Sequence, residues 1–196
     1  MRLDVPLKTL FVVEPSVFTA IKNKVESIDK EEWDKNTFRQ ESFPVHARTK
    51  SIILKFQSMH GPTTKHITTF DEWHEWSEAF GPIMDQAAKA ITERKDGVVI
   101  KAMLAMVPPG CSISPHRDTH WTFDRAHRIH LPITTSNEVD FTIGGQVYHL
   151  EEGLVYEINN KLEHSVKNKS NADRVHLIFD YVSGDVWNNW EAGQQV

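Results

Sequence analysis

The chain has 196 residues, 39% of them hydrophobic and 25% charged, with a formal net charge of −5. That composition suits a soluble globular domain able to bury a core without disulfides. The acidic balance and the lack of a dense Lys/Arg run argue against nucleic acid as a partner. A single cysteine, Cys111, excludes an internal disulfide and favours a reducing compartment. The opening residues lack the basic, long apolar and small-residue regions of a signal peptide, and no stretch approaches the ~18 apolar residues of a membrane span. The expectation is therefore a cytoplasmic protein with no membrane partner.

In chain order, Leu10 to Val13 reads as a strand and Pro15 as a first helical residue. Val17, Phe18, Ile21, Val25 and Ile28 follow at helical spacing. Ser51 to Phe56 reads as a second strand. Thr69 to Glu72 resembles a helix start, with Trp73, Trp76 and Phe80 on one face. Gly81-Pro82 is expected to interrupt that helix, and Ile83, Met84, Ala87, Ala88 and Ile91 form a further stripe ending near Gly97. These apolar residues are read as core packing. From Val98 to Val182 short β-rich runs alternate with turns such as Pro108-Pro109-Gly110, Gly144-Gly145 and Asn159-Asn160. Regularly spaced short strands predict a jelly roll. The fold class is thus α+β: a double-stranded β-helix, cupin-like, braced on one outer face by N-terminal helices. One domain over residues 1–196 is expected, with helical support over about 1–97 and the β-helix core over about 98–182.

Eleven histidines are present, concentrated between His116 and His176, so their arrangement matters more than any one of them. His116 and Asp118 stand two apart and face the same way in an extended segment. Chance alone gives about one such pair at this histidine content, and His149-Leu150-Glu151 is a decoy of the same form, read as a surface strand end. His164 follows a strand and a tight turn, 46 residues after Asp118. Two histidines and a carboxylate make the facial triad of non-haem Fe(II) oxygenases, with positions left open for oxygen and a co-substrate. Ten residues on, Arg174 opens a strand whose alternation places Arg174, His176 and Ile178 on one face and Val175, Leu177 and Phe179 on the other. Arg128-Ile129-His130-Leu131 repeats the pattern. A buried guanidinium needs an anion, and a dicarboxylic acid offers Arg174 a bidentate partner. If Arg128 also faces inward, it needs an anion on the substrate side, so the substrate is expected to carry a carboxylate.

The series PPG-x4-PHRD, RIHLPI, LEHSV and RVHLIFD resembles the aspartyl/asparaginyl β-hydroxylase-like group of 2-oxoglutarate-dependent oxygenases, and within it the small free-standing members that hydroxylate proline. The likeness covers roughly Val107 to Val182 and is loose before that, around His46 to Ile52. The aspartyl/asparaginyl hydroxylases proper lack the carboxylate ligand, whereas this sequence keeps Asp118. The resemblance implies Fe(II) held by His116, Asp118 and His164, with 2-oxoglutarate on Arg174. It gives His130 a contact with the co-substrate, and Arg128 one with co-substrate or substrate. It also implies an O2-dependent hydroxylation of an unactivated C–H, with an amino acid, a peptidyl residue and a small metabolite all open as substrates.

His120, Trp121 and Asp124 lie in a loop read as either a cover for the pocket mouth or simple packing. Ser112 and Ser114 are candidates to touch a carboxylate. Cys111 reads as a buried small residue, and Trp187 and Trp190 as packing anchors. The rival reading is a cupin-type binding or isomerase protein whose metal does no redox chemistry. Against it, the cupin His-x-His pair is absent, because His127 and His130 are three apart and diverge on a strand.

Overall fold

The computed structural model describes residues 3–57, 66–93, 96–119 and 121–191. Among the described residues eleven strands form two antiparallel sheets. The larger sheet has the order β1 (Leu7–Val12), β9 (Leu154–Ile158), β6 (His127–Thr134), β11 (Arg174–Val182), β4 (Val98–Val107), β2 (Lys50–Gln57) and β3 (Ile67–Thr69). The smaller has the order β5 (Ser112–His116), β10 (His164–Asn168), β7 (Val139–Ile143) and β8 (Gln146–Tyr148). This is the expected jelly roll. Among the described residues no helix is long and apolar enough to cross a membrane.

Two apolar layers hold the sheets in place. On the outer face of the larger sheet, Leu131, Leu177 and Phe179 pack against Ile21 and Val25 of α1 (Pro15–Glu26) and Trp76, Phe80 and Ile83 of α3 (Glu72–Thr92). Between the sheets, Ile113, Phe141, Ile143, Tyr156, Ile158 and Val166 form a second core, which also buries Cys111. β11 lies between the two layers and is buried along its whole length. Its Val175, Leu177 and Phe179 belong to the helix side, as the alternation requires. Its other face is free to line a cavity.

Three expectations are refined. Gly81-Pro82 does not interrupt α3, which runs unbroken from Glu72 to Thr92. A proline excludes the helical conformation of its predecessor mainly through that residue's Cβ and N–H, and Gly81 has no Cβ. Burial of Phe80, Ile83 and Met84 on one continuous face then outweighs the lost hydrogen bond. The helix stops before Gly97, at Glu93, whose left-handed φ of 60° closes it. The first half of the chain contributes β1, β2 and β3 to the larger sheet as well as its helices.

A short helix α2 (Phe38–Ser42) and a 3-10 turn at Pro44–His46 precede β2. Neither is long enough to show a periodic apolar pattern. Trp187 is buried in α4 (Gly184–Glu191). His120 and the side chains of Trp121 and Trp190 lie outside what is described.

Candidate metal centre

His164 on β10 is the direct cross-strand partner of His116 on β5. Their rings are 4.3 Å apart, a proximity that follows from the short spacing of paired strands. Asp118 follows β5, and its backbone N–H donates to the carbonyl of Asn160 at 3.2 Å. One ligand atom from each of His116, Asp118 and His164 lies within 4.8 Å of the others. Asp118 Oδ1 is 4.0 Å from His116 Nε2. The decoy pair stands elsewhere: His149 and Glu151 are both exposed beyond the end of β8.

The donor set fits a metal. His116 Nδ1 lies 2.8 Å from the carbonyl of Ser114 and His164 Nδ1 lies 3.0 Å from that of Leu162. A carbonyl only accepts, so each Nδ1 carries the proton and each Nε2 presents a lone pair, the tautomer a metal needs. The second oxygen of Asp118 is held from behind, by Asn160 Nδ2 at 2.9 Å and Arg128 Nη1 at 2.8 Å. Burial opposes the charge on Asp118, but Arg128, His164, Asn160 and His116 outweigh it and keep the carboxyl below its usual range. Burial pushes the His164 imidazole down, keeping it neutral and able to ligate.

A cavity opens from these three residues into the space between the sheets, lined also by Arg128, His130, Phe141, Arg174 and Ile178. Arg174 is 2% exposed. Its Nη2 donates to His176 Nδ1 at 2.8 Å, its Nε has no partner, and it makes no ion pair among the described residues. Desolvation lowers its pKa to about 9, with help from the nearby Arg39 cation. A buried guanidinium without a counter-ion is costly, so this site is built to receive an anion. His130 is buried and stacked on Phe141 with ring centroids 5.6 Å apart, and its Nε2 lacks a partner.

Arg128 differs. Its Nε and Nη2 grip the buried Asp180 at 2.7 and 2.9 Å while Nη1 reaches Asp118. Burial opposes its charge, yet the two carboxylates together raise its pKa. The anion expected opposite Arg128 is thus supplied from within the chain, and the inference of a substrate carboxylate at that residue loses its premise. Ser112 and Ser114 are exposed on β5 and do not line the cavity. Asp124 pairs with Lys161.

Three residues that sequence reasoning left without a role surround this site. Asn160 was visible only as part of a turn. Arg39 and His46, from α2 and the turn after it, also line the cavity, and the His46 ring stands 5.6 Å from that of His116. The one signal in the sequence was the loose likeness around His46.

The aspartyl/asparaginyl β-hydroxylase family model matches residues 18–183. The chain belongs to the aspartyl/asparaginyl β-hydroxylase family. Its members are 2-oxoglutarate-dependent hydroxylases, so this chain is an enzyme of that class, and iron with 2-oxoglutarate are the family's general requirements. Among the curated proteins none matches the sequence.

The fold of this β-hydroxylase family member is shared with several solved structures. A prolyl hydroxylase from Trichoplax adhaerens aligns with a TM-score of 0.58 at 11% identity, over 97% of this chain and 88% of its own. A Pseudomonas putida prolyl-4-hydroxylase gives 0.56 at 13% identity, over 91% and 93%. An oxidoreductase of the 2OG-Fe(II) oxygenase family from Burkholderia pseudomallei gives 0.56 at 11% identity, over 88% and 93%.

Proposed function

We propose that His116, Asp118 and His164 hold Fe(II), that Arg174 receives the distal carboxylate of 2-oxoglutarate, and that the enzyme hydroxylates an unactivated C–H of an amino acid or peptidyl residue. The observation that carries this reading is Arg174, a buried cation without a counter-ion, in the same cavity as a histidine–carboxylate cluster. When bound, iron, 2-oxoglutarate and O2 supply the oxidising chemistry, with decarboxylation of the co-substrate to succinate.

The chain's own residues bind and orient. The planar fork of Arg174 fits a carboxylate in two-point contact, and His176 holds that fork in position. Desolvation keeps His130 neutral, which leaves its Nε2 for a polar atom of the co-substrate. Phe141, Ile113 and Ile178 give the cavity apolar walls, which exclude water and favour one pose. Arg128 and Asn160 hold one oxygen of Asp118, leaving the other for the metal.

The Trichoplax enzyme was solved with a peptide fragment, which supports a peptidyl residue as one substrate class. The likeness to small proline hydroxylases supports a free amino acid as the other. The test is aerobic incubation with Fe(II), 2-oxoglutarate and a panel of amino acids and peptides. The expected result is succinate formed together with a product heavier by one oxygen. Iron and 2-oxoglutarate bound without any succinate would return the chain to a metal-binding protein that does no redox chemistry.

A further inference from the structure

Asp118 is steadied by Arg128, and what steadies Arg128 reaches two strands further into the sheet. Asp180 on β11 stands opposite Arg128 on β6 and opposite Lys101 on β4, so the three form one row. Ala102, Leu104 and Met106 of β4 belong to the helix-side core, and alternation turns Lys101 toward the cavity side. Lys101 is 7% exposed. Its Nζ donates to Thr122 Oγ1 at 3.2 Å and lies 4.1 Å from the ring centre of Phe123 and 5.5 Å from that of Phe56. Thr122 and Phe123 belong to a 3-10 turn, Trp121–Asp124, on the connection from Asp118 to β6. The same Phe123 ring covers Arg128, 4.7 Å from its Cζ.

Two contacts therefore fix the plane of the Arg128 guanidinium: the Asp180 carboxylate at its edge and the Phe123 ring on its face. Lys101 acts on both. Burial pulls its pKa down and the charge of Asp180 opposes that, so the carboxylate is drawn toward a cation on either side. Filling the space between Phe56 and Phe123 does not require a charge. A methionine has a similar length and would pack there without desolvation, and buried charges are weak contributors to stability.

Resting on the reading of His116, Asp118 and His164 as the metal ligands, we propose that Lys101 is a positioning residue for the metal centre. It shares Asp180 with Arg128 and holds the 121–124 turn so that Phe123 stays on the guanidinium. Nη1 of Arg128 then remains aimed at Oδ2 of Asp118, and the other carboxylate oxygen keeps one orientation toward the metal. Lys101 itself touches neither metal nor substrate.

The experiment titrates the full chain with Mn(II) by calorimetry and records the absorption spectrum of its Co(II) form. Lys101→Met keeps the length of the side chain and removes its charge. By Coulomb's law alone, losing a nearby cation favours a divalent ion, so charge and orientation predict opposite signs. The expected result is Mn(II) bound about 10-fold more weakly, the lower end of what outer partners of a metal ligand contribute, with altered Co(II) bands. Phe123→Leu leaves every charge in place and should weaken Mn(II) binding about threefold, the equivalent of one cation–π contact. It decides the matter if Lys101→Met does not fold. Binding by Lys101→Met as tight as the wild type or tighter would overturn the proposal, as would weaker binding with unchanged Co(II) bands, which reads a general loosening. Where Phe123→Leu decides, unchanged Mn(II) affinity would do the same. A wild-type protein that binds neither Mn(II) nor Co(II) would instead overturn the assignment of the metal ligands.

Discussion

Arg128 places Nη1 2.8 Å from Oδ2 of Asp118 and at the same time closes on Asp180 through Nε and Nη2. One guanidinium thus ties a candidate metal ligand on the strand-to-loop junction after β5 to the buried middle of the larger sheet. Asp180 faces Arg128 on β6 and Lys101 on β4 in register, so the network is anchored on three adjacent strands. Replacing Arg128 with Met leaves the buried Asp180 and the half-buried Asp118 short of their cation, a loss of about 3–5 kcal/mol of stability. Chemical denaturation of the metal-free protein measures it. A loss below about 1 kcal/mol would show that water reaches these groups.

The proposed ligands are separable from the rest by metal titration. His116→Ala, Asp118→Ala and His164→Ala are each expected to lose Fe(II) or Mn(II) affinity and turnover, because three ligands leave no spare. His149→Ala and Glu151→Ala, exposed beyond β8, should bind metal as the wild type does. Full activity in Asp118→Ala would place the site with the two-histidine type.

Arg174→Lys keeps the charge and loses the planar fork. The expected outcome is a requirement for 2-oxoglutarate raised about 10- to 100-fold, in line with a lost charge-assisted hydrogen bond, and unchanged metal affinity. Titration of the Mn(II)-loaded variant with 2-oxoglutarate reads both quantities. Lost metal with intact co-substrate binding would remove Arg174 from its proposed role.

The buried imidazoles make stability depend on pH. Desolvation, together with the Arg174 cation, holds His130 and His176 far below the ordinary histidine value, and desolvation with the Arg39 cation does the same to His46. Above about pH 6.5 folded and unfolded states carry the same protons on these rings. Below it the unfolded chain takes up protons that the folded chain refuses, so stability is lost as the pH falls. Each ring contributes about 1.4 kcal/mol per pH unit once well below that value. Denaturation of the metal-free protein at pH 7.0 and 5.5 should therefore show a markedly weaker fold at the lower pH. A midpoint that does not move would mean that the rings protonate within the fold.

The alternation in Arg174 to Asp180 and in Arg128 to Ile133 fixed, from the sequence alone, which side chains turn toward the helices and which toward the cavity. The reason is that a strand's side-chain period is two whatever surrounds it. The His116-x-Asp118 pair was legible as ligand chemistry at a short spacing, although Asp118 lies just past the end of β5, and the turn signals between short apolar runs were enough for the jelly roll. What Arg128 pairs with was not legible. Asp180 lies 52 residues away, and the two meet only because β6 and β11 are neighbours in one register. The pairing of His116 with His164 likewise depends on the strand order of the smaller sheet. Gly81-Pro82 misled because local propensity yields to a continuous buried face. Arg39 and His46 sit on elements too short to leave a periodic signal, and only the tertiary structure brings them to the cavity beside His116. Period and residue chemistry are local properties and can be read along the chain. Counter-ions, and the lack of them, are decided by which strands and turns the tertiary structure brings together.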